Sequence, residues 1–261
     1  MKIAVTGKGG VGKTFIAGTL AEIYAREGRP VIAIDADPSP NLAMSLGLTD
    51  EEANHILPVA ENEELIRLKT ATDYPGVFQL TFSVEDIIER YAVPTPSGAY
   101  LLVMGTVRSL GSGCTCAANT VMKALLRHLI VDRDDVVILD MEAGVEHLGR
   151  GTAGNVDFML VVTDANKKSL ETARTIYRLA AGSPVRDVGL VANRIAGPEQ
   201  AEIFSTYAKK HRLSVFGIIP FDQLVFTAGV TGKQIDEKTS VAREAIRQIA
   251  QRLTDSRSKI A

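Results

Sequence analysis

Cysteine is nearly absent. The 261-residue chain has two, Cys114 and Cys116, a single residue apart. Two cysteines cannot close a four-sulfur metal cage within one chain, and neighbours this close make a strained disulfide. Long hydrophobic runs are missing as well: no uninterrupted apolar stretch approaches the ~18 residues of a transmembrane span. The opening "MKIAVTGKGG" has only a brief apolar run before its glycines, which does not fit a secretory signal. A cytoplasmic protein with reduced thiols is therefore expected. Strong charge imbalance is lacking too. A net charge of −2 at pH 7 gives no general pull toward nucleic acid or anionic membrane, so neither is expected as a partner. No internal repeat, low-complexity tract or linker interrupts the chain, and residues 1–261 read as a single domain.

The chain is 46% hydrophobic and 23% charged, enough for a substantial core. Short β-branched runs at 2–7, 30–35, 100–105, 136–141, 158–164, 188–193 and 214–219 read as strands, with 77–82 a weaker candidate. Most are apolar at consecutive positions, as in a parallel sheet covered on both faces. Helical spacing fits 13–27, 117–130, 167–181, 198–211 and 240–253. This alternation predicts an α/β fold, a doubly wound and mostly parallel sheet with helices on both faces. The less regular stretch 48–98 is expected to be a helical insertion packed on the sheet. The last helix carries Val241, Ala245, Ile249 and Leu253 on one stripe, which suits docking onto the sheet better than a membrane tail.

"GKGGVGKT", Gly7 to Thr14, satisfies G-x-x-x-x-G-K-[ST] and falls between the first strand and the first helix. Its glycines let successive N–H groups curl toward phosphate oxygens, and the following helix adds its positive dipole end. Lys13 is expected at the β- and γ-phosphates and the Thr14 hydroxyl at Mg²⁺. "VVILDMEAG" ends an apolar strand in Asp140, a second Mg²⁺-directed carboxylate. Asp35 and Asp37, in "IDADPSPNL", fall at the carboxyl end of the second strand, where open α/β sheets bind ligands.

The extra lysine of the loop, Lys8, is not needed by an ordinary P-loop. "KGGVGKT" resembles the variant Walker A motif of the MinD, ParA and nitrogenase iron protein group, a P-loop NTPase family. The resemblance implies an ATPase that turns ATP into ADP and phosphate as a face-to-face homodimer. Lys8 would touch the partner's nucleotide, Asp37 would position the attacking water, and Asp35 would lie nearer Mg²⁺. Gly144 would belong to a second switch, and Glu142 could be functional or merely solvated. The nucleotide would be held by Gly9, Gly10, Val11, Gly12, Lys13, Thr14 and Phe15. Phe15 stands where many relatives have a second hydroxyl on the α-phosphate, so that contact is lost. By the same resemblance Asn193 would read adenine, and Pro220, Phe221 and Asp222 would wrap the base.

Cys114 and Cys116 follow a Gly-Ser-Gly run and precede a helix expected to start near Ala117. A helix N-terminus lowers thiol pKa, and in an extended segment residues two apart point the same way. Two thiolates are half of a tetrahedral site, which a symmetric dimer would complete. Inert core cysteines and a redox pair are the competing readings. An interchain iron–sulfur cluster of the nitrogenase iron protein kind needs a second cysteine segment, which the chain lacks. The variant Walker A, "DADPSPNL", C-x-C and "DMEAGVEHLGRGTAGNVD" together resemble the CooC-type ATPases. That resemblance implies nickel insertion into carbon monoxide dehydrogenase as client, with an interfacial Ni²⁺ or Zn²⁺ site made by Cys114 and Cys116 of two chains. A MinD- or ParA-type positioning ATPase and an iron–sulfur redox ATPase are the alternatives. His55, His128 and His211 read as surface or packing residues; His147 could sense metal.

Overall fold

Val31, Ala33 and Leu101 are buried on one face of a sheet, while Ile32, Ile34 and Leu102 are buried on the other. Strands apolar at every position need cover on both sides, and the computed structural model supplies it. It describes residues 1–37, 39–73, 79, 82–105, 114–143, 153–232 and 239–258, with the side chains of 114–116 outside that description.

The strands are β1 (Lys2–Gly7), β2 (Val31–Ala36), β3 (Val93–Pro94), β4 (Tyr100–Val103), β5 (Val136–Met141), β6 (Phe158–Thr163), β7 (Asp187–Ile195) and β8 (Val215–Pro220). They form one sheet in the order β3-β4-β2-β5-β1-β6-β7-β8. Every neighbouring pair is parallel except the short β3–β4 pair at the edge. The chain builds outward from β1 in both directions, so a crevice opens beyond the carboxyl ends of the central strands.

One face is covered by α1 (Lys13–Arg26) and by α10 (Val241–Ser258), which bury Ile16, Leu20, Ile246, Ile249 and Leu253. The last helix docks as expected through Ile249 and Leu253, with Ala245 partly buried, but Val241, expected on the same stripe, is 54% exposed and Ile246 is buried instead. The opposite face takes α6 (Cys114–Arg127), α7 (Lys167–Ala181) and α8 (Pro198–His211), through Val121, Leu125, Leu170, Ile176 and Phe204. Each such side chain stabilises the fold by about 1.5–3 kcal/mol relative to exposure. Between β2 and β4 lie α2 (Leu42–Ser45), α3 (Asp50–Asn54), α4 (Glu63–Thr70) and α5 (Glu85–Tyr91). Thr49 and Glu52 form a reciprocal capping box that starts α3. Leu65, Ile87 and Ile88 join the core, and β3 from the same stretch adds to the sheet edge. Most of the weak strand candidate at 77–82 lies outside the described residues.

The helix expected over 117–130 differs at both ends. It begins at Cys114, and after Arg127 it widens into a π-helical turn, His128–Asp132. Lys2 lies buried against that turn. Lys2 Nζ donates to the carbonyls of Leu129 (2.8 Å), Arg133 (2.7 Å) and Asp135 (3.1 Å), gathering the oxygens at the end of the helix around one ammonium. Among the described residues, no helix is long and apolar enough to cross a membrane.

Candidate nucleotide site

β1 ends at Gly7, whose φ of +151° brings it against β6: a Cβ there would lie 2.3 Å from the Val162 carbonyl oxygen. The chain then turns through Lys8–Val11, closed by the Val11 N–H donating to the Lys8 carbonyl over 3.4 Å. Gly12 enters α1 in the left-handed region (φ +94°), and a Cβ there would meet Asn193 Nδ2 at 2.3 Å. Both glycines are required by backbone geometry and by close approach. The loop therefore curls over the carboxyl end of the sheet and opens α1 toward the crevice, where an anion is favoured by the helix N-terminus.

Lys8 is exposed, whereas Lys13 is buried with its ammonium 3.9 Å from Asp37 Oδ2. Asp37 also accepts the Ser39 N–H at 2.9 Å, so its turn is partly self-made. Asp35 and Asp140 are direct neighbours across β2 and β5, and both are fully buried. Their hydrogen bonding differs. Asp35 Oδ2 accepts from the amides of Asn41 (2.9 Å) and Leu42 (2.8 Å), and Oδ1 accepts from Asp37 (3.2 Å). Asp35 thus organises the segment after β2. Neither oxygen of Asp140 has a hydrogen-bond partner among the described residues.

Burial pushes the Asp140 carboxyl up to about 7, against the easing effect of the Thr14 hydroxyl nearby, with the charge of Asp35 adding to the rise. Burial likewise raises Asp35 to about 6, opposed by its three amide donors. A buried carboxylate that no amide engages among the described residues, beside a P-loop threonine hydroxyl, is a donor set suited to a hard divalent cation. These residues fit Mg²⁺.

A cavity of about 280 Å³ adjoins the loop, walled by Phe15, Pro220, Phe221, Val225 and Phe226, with Asn193 and Arg194 at its loop side. Phe15 is therefore part of an apolar wall as well as a lost hydroxyl contact. Asn193 and Asp222 line the cavity with their polar groups already engaged. Asn193 Nδ2 donates to the Val11 carbonyl at 2.8 Å, and its Oδ1 accepts the Arg194 N–H at 2.9 Å. Asp222 accepts from the Leu224 amide (2.8 Å), the Ser240 hydroxyl (2.6 Å) and the Ala242 amide (3.1 Å). Burial opposes its charge, but those donors outweigh it and hold its pKa below the usual carboxylate range. One carboxylate so caps both α9 (Gln223–Thr231) and α10.

Residues 2–235 match the CobQ/CobB/MinD/ParA nucleotide binding domain. The chain belongs to that family. It is 39% identical to the carbon monoxide dehydrogenase accessory protein CooC of Rhodospirillum rubrum, covering 94% of this chain and 92% of that protein. It is also 39% identical to an uncharacterized ATP-binding protein of Methanocaldococcus jannaschii, over 94% of each. In fold it is similar to the MinC:MinD cell division protein complex of Aquifex aeolicus, with a TM-score of 0.70 at 22% identity, covering 98% of this chain and 96% of that one. The expected α/β P-loop architecture is the one present, and the resemblance to CooC-type members of the family is borne out by the shared identity.

The two cysteines require a local correction. They occupy the first turn of α6, not an extended segment before it. The Gly-Ser-Gly run, Gly144 and His147 lie outside the described residues. Glu142 is exposed, and its carbonyl accepts the Thr6 hydroxyl at 2.8 Å.

Of the other histidines, His55 is exposed, His211 packs its ring 4.5 Å from that of Tyr207, and His128 pairs with Asp132 at 3.3 Å. Arg194, Val225 and Phe226 also line the cavity, and no sequence motif marks them: Arg194 stands beside Asn193, and the other two sit on α9.

Proposed function

We propose that this chain is a cytoplasmic, single-domain, Mg²⁺-dependent ATPase that acts as a metallochaperone, assisting nickel insertion into carbon monoxide dehydrogenase. The observation that carries this reading is 39% identity to a carbon monoxide dehydrogenase accessory protein across 94% of the chain. The Cys114-x-Cys116 pair gives that reading its chemistry.

In the proposed cycle the P-loop amides and Lys13 bind the phosphates, while the apolar cavity takes the base. Thr14 and Asp140 would hold Mg²⁺, with Asp35 behind them; when bound, the ion offsets charge on the β- and γ-phosphate oxygens. Asp37 orients the attacking water, which takes the γ-phosphoryl group and leaves ADP. Lys8, already exposed on the loop, reaches a second copy's nucleotide and stabilises the charge that develops there. Nucleotide then favours a homodimer because ATP binds that state better than the open one. Cys114 and Cys116 of the two copies meet Ni²⁺ or Zn²⁺ as cargo, and the metal stabilises the dimer in turn.

The direct test is activation of nickel-free carbon monoxide dehydrogenase by this chain with nickel and MgATP. Activation that needs both the chain and hydrolysable ATP is expected. Equal activation by nickel alone would remove the metallochaperone role.

A further inference from the structure

Arg194 has a backbone conformation that few non-glycine residues adopt, with φ at +58°. It lies at the end of β7, remote in sequence from the P-loop, yet its guanidinium reaches that loop. Arg194 Nη1 donates to the Gly10 carbonyl at 2.9 Å. Its neighbour Asn193 donates to the next carbonyl, that of Val11. Asn193 itself is held by the Arg194 amide, so the two residues form one unit.

We propose that Arg194 is a positioning residue for the P-loop. A trans peptide points its C=O and the following N–H in opposite directions. Drawing the Gly10 and Val11 carbonyls toward β7 therefore turns the Val11 and Gly12 N–H groups the other way, into the loop. The Val11 N–H does meet the Lys8 carbonyl inside the loop, as that geometry requires. A glycine-rich loop gains little rigidity from its own side chains, so its phosphate-binding shape has to be imposed from outside. Arg194 supplies that restraint with a charged donor, from a residue whose backbone is left-handed. It touches neither phosphate nor water in this role. The effect on nucleotide rests on the proposed ATPase reading; the restraint on the loop does not.

The test compares Arg194→Ala, Arg194→Lys and Arg194→Gly with the native chain. One measurement is hydrogen exchange at the Val11 and Gly12 amides without nucleotide; the others are MgADP affinity and MgATP turnover. Arg194→Ala should speed exchange at those two amides and weaken MgADP roughly tenfold, the value of one charge-assisted hydrogen bond. KM for MgATP should rise by more than kcat falls. Arg194→Lys should recover part of the loss. Arg194→Gly, which relieves the backbone but lacks the guanidinium, should resemble Arg194→Ala. Native exchange in Arg194→Ala, or native behaviour in Arg194→Gly, would overturn the proposal. If the native chain binds no MgADP, the ATPase reading fails, and the exchange comparison still decides the restraint.

Discussion

Asp35 and Asp140 are paired across β2 and β5, yet among the described residues three backbone amides donate to Asp35 and none to Asp140. Two adjacent buried carboxylates thereby acquire different tasks. Asp35 shapes the backbone that carries Asp37, and Asp140 has only the Thr14 hydroxyl beside it, with no amide donor among the described residues. A buried carboxylate so poorly supplied with donors costs stability. The first expectation is that Asp140→Asn raises stability without nucleotide by about 1–2 kcal/mol, measured by urea denaturation. The same variant should lose most of the stabilisation that MgATP gives the native chain.

The pH dependence follows from the same pair. Asp140 titrates near 7 and Asp35 near 6 in the folded chain, both above their ordinary 3.8. Between those limits the folded state holds protons that the unfolded state has released. Stability without nucleotide should therefore fall as pH rises from about 4 to about 7. Asp140→Asn should flatten the upper part of that fall. Denaturation midpoints of the two proteins across this range provide the comparison, and parallel curves would contradict it.

Lys2 makes the opposite prediction at higher pH. Burial lowers its pKa from 10.5 to about 8, with Asp135 and Asp157 opposing the change. The folded state then binds fewer protons than the unfolded one between those values, so stability from this group rises with pH through that window. Lys2→Met leaves the Leu129, Arg133 and Asp135 carbonyls without their donor and should cost about 1–3 kcal/mol near neutrality. Urea titrations of both chains at pH 7 and pH 10 would show the cost and its change.

Asp222→Ala removes one carboxylate that caps two helices, α9 and α10. A loss of about 1–3 kcal/mol is expected, together with weaker binding of nucleotide, since α9 carries part of the cavity wall. Ser240→Ala should show a smaller loss of stability. Calorimetry with and without ATP separates the two effects.

Lys8→Ala should leave the fold intact, because Lys8 is exposed and contributes a backbone carbonyl to the loop. ATP turnover should drop on the order of a hundredfold, with ATP-driven dimerisation weakened. Unchanged turnover at saturating ATP and high protein concentration would remove its proposed action across the dimer.

Much of this arrangement is legible in the amino-acid sequence. Gly7 to Thr14 announced the loop through the G-x-x-x-x-G-K-[ST] pattern set between an apolar run and a helical period, and Asp140 ended a run of four apolar residues. Strand faces were legible because parallel strands buried on both sides carry no polar alternation. What escaped detection has physical reasons. Helix α9 buries no residue fully and leaves Phe226 57% exposed, so it has no amphipathic period to read. Asn193 and Asp222 have side chains that suit a base, but their contacts depend on Val11 and Ser240, far away in sequence. The start of α6 was hidden because a Gly-Ser-Gly run suggests a loop continuing through the cysteines. Arg194 could not be found by motif, since its left-handed backbone is a property of the folded chain.

The most direct measurement is metal stoichiometry and dimerisation together, for the native chain and for Cys114→Ala/Cys116→Ala, with nickel or zinc in the presence of MgATP. The account predicts about one metal per two chains, with the dimer strengthened by metal, and both effects lost in the double variant. Undiminished metal binding by that variant would contradict an interfacial site built from these two cysteines.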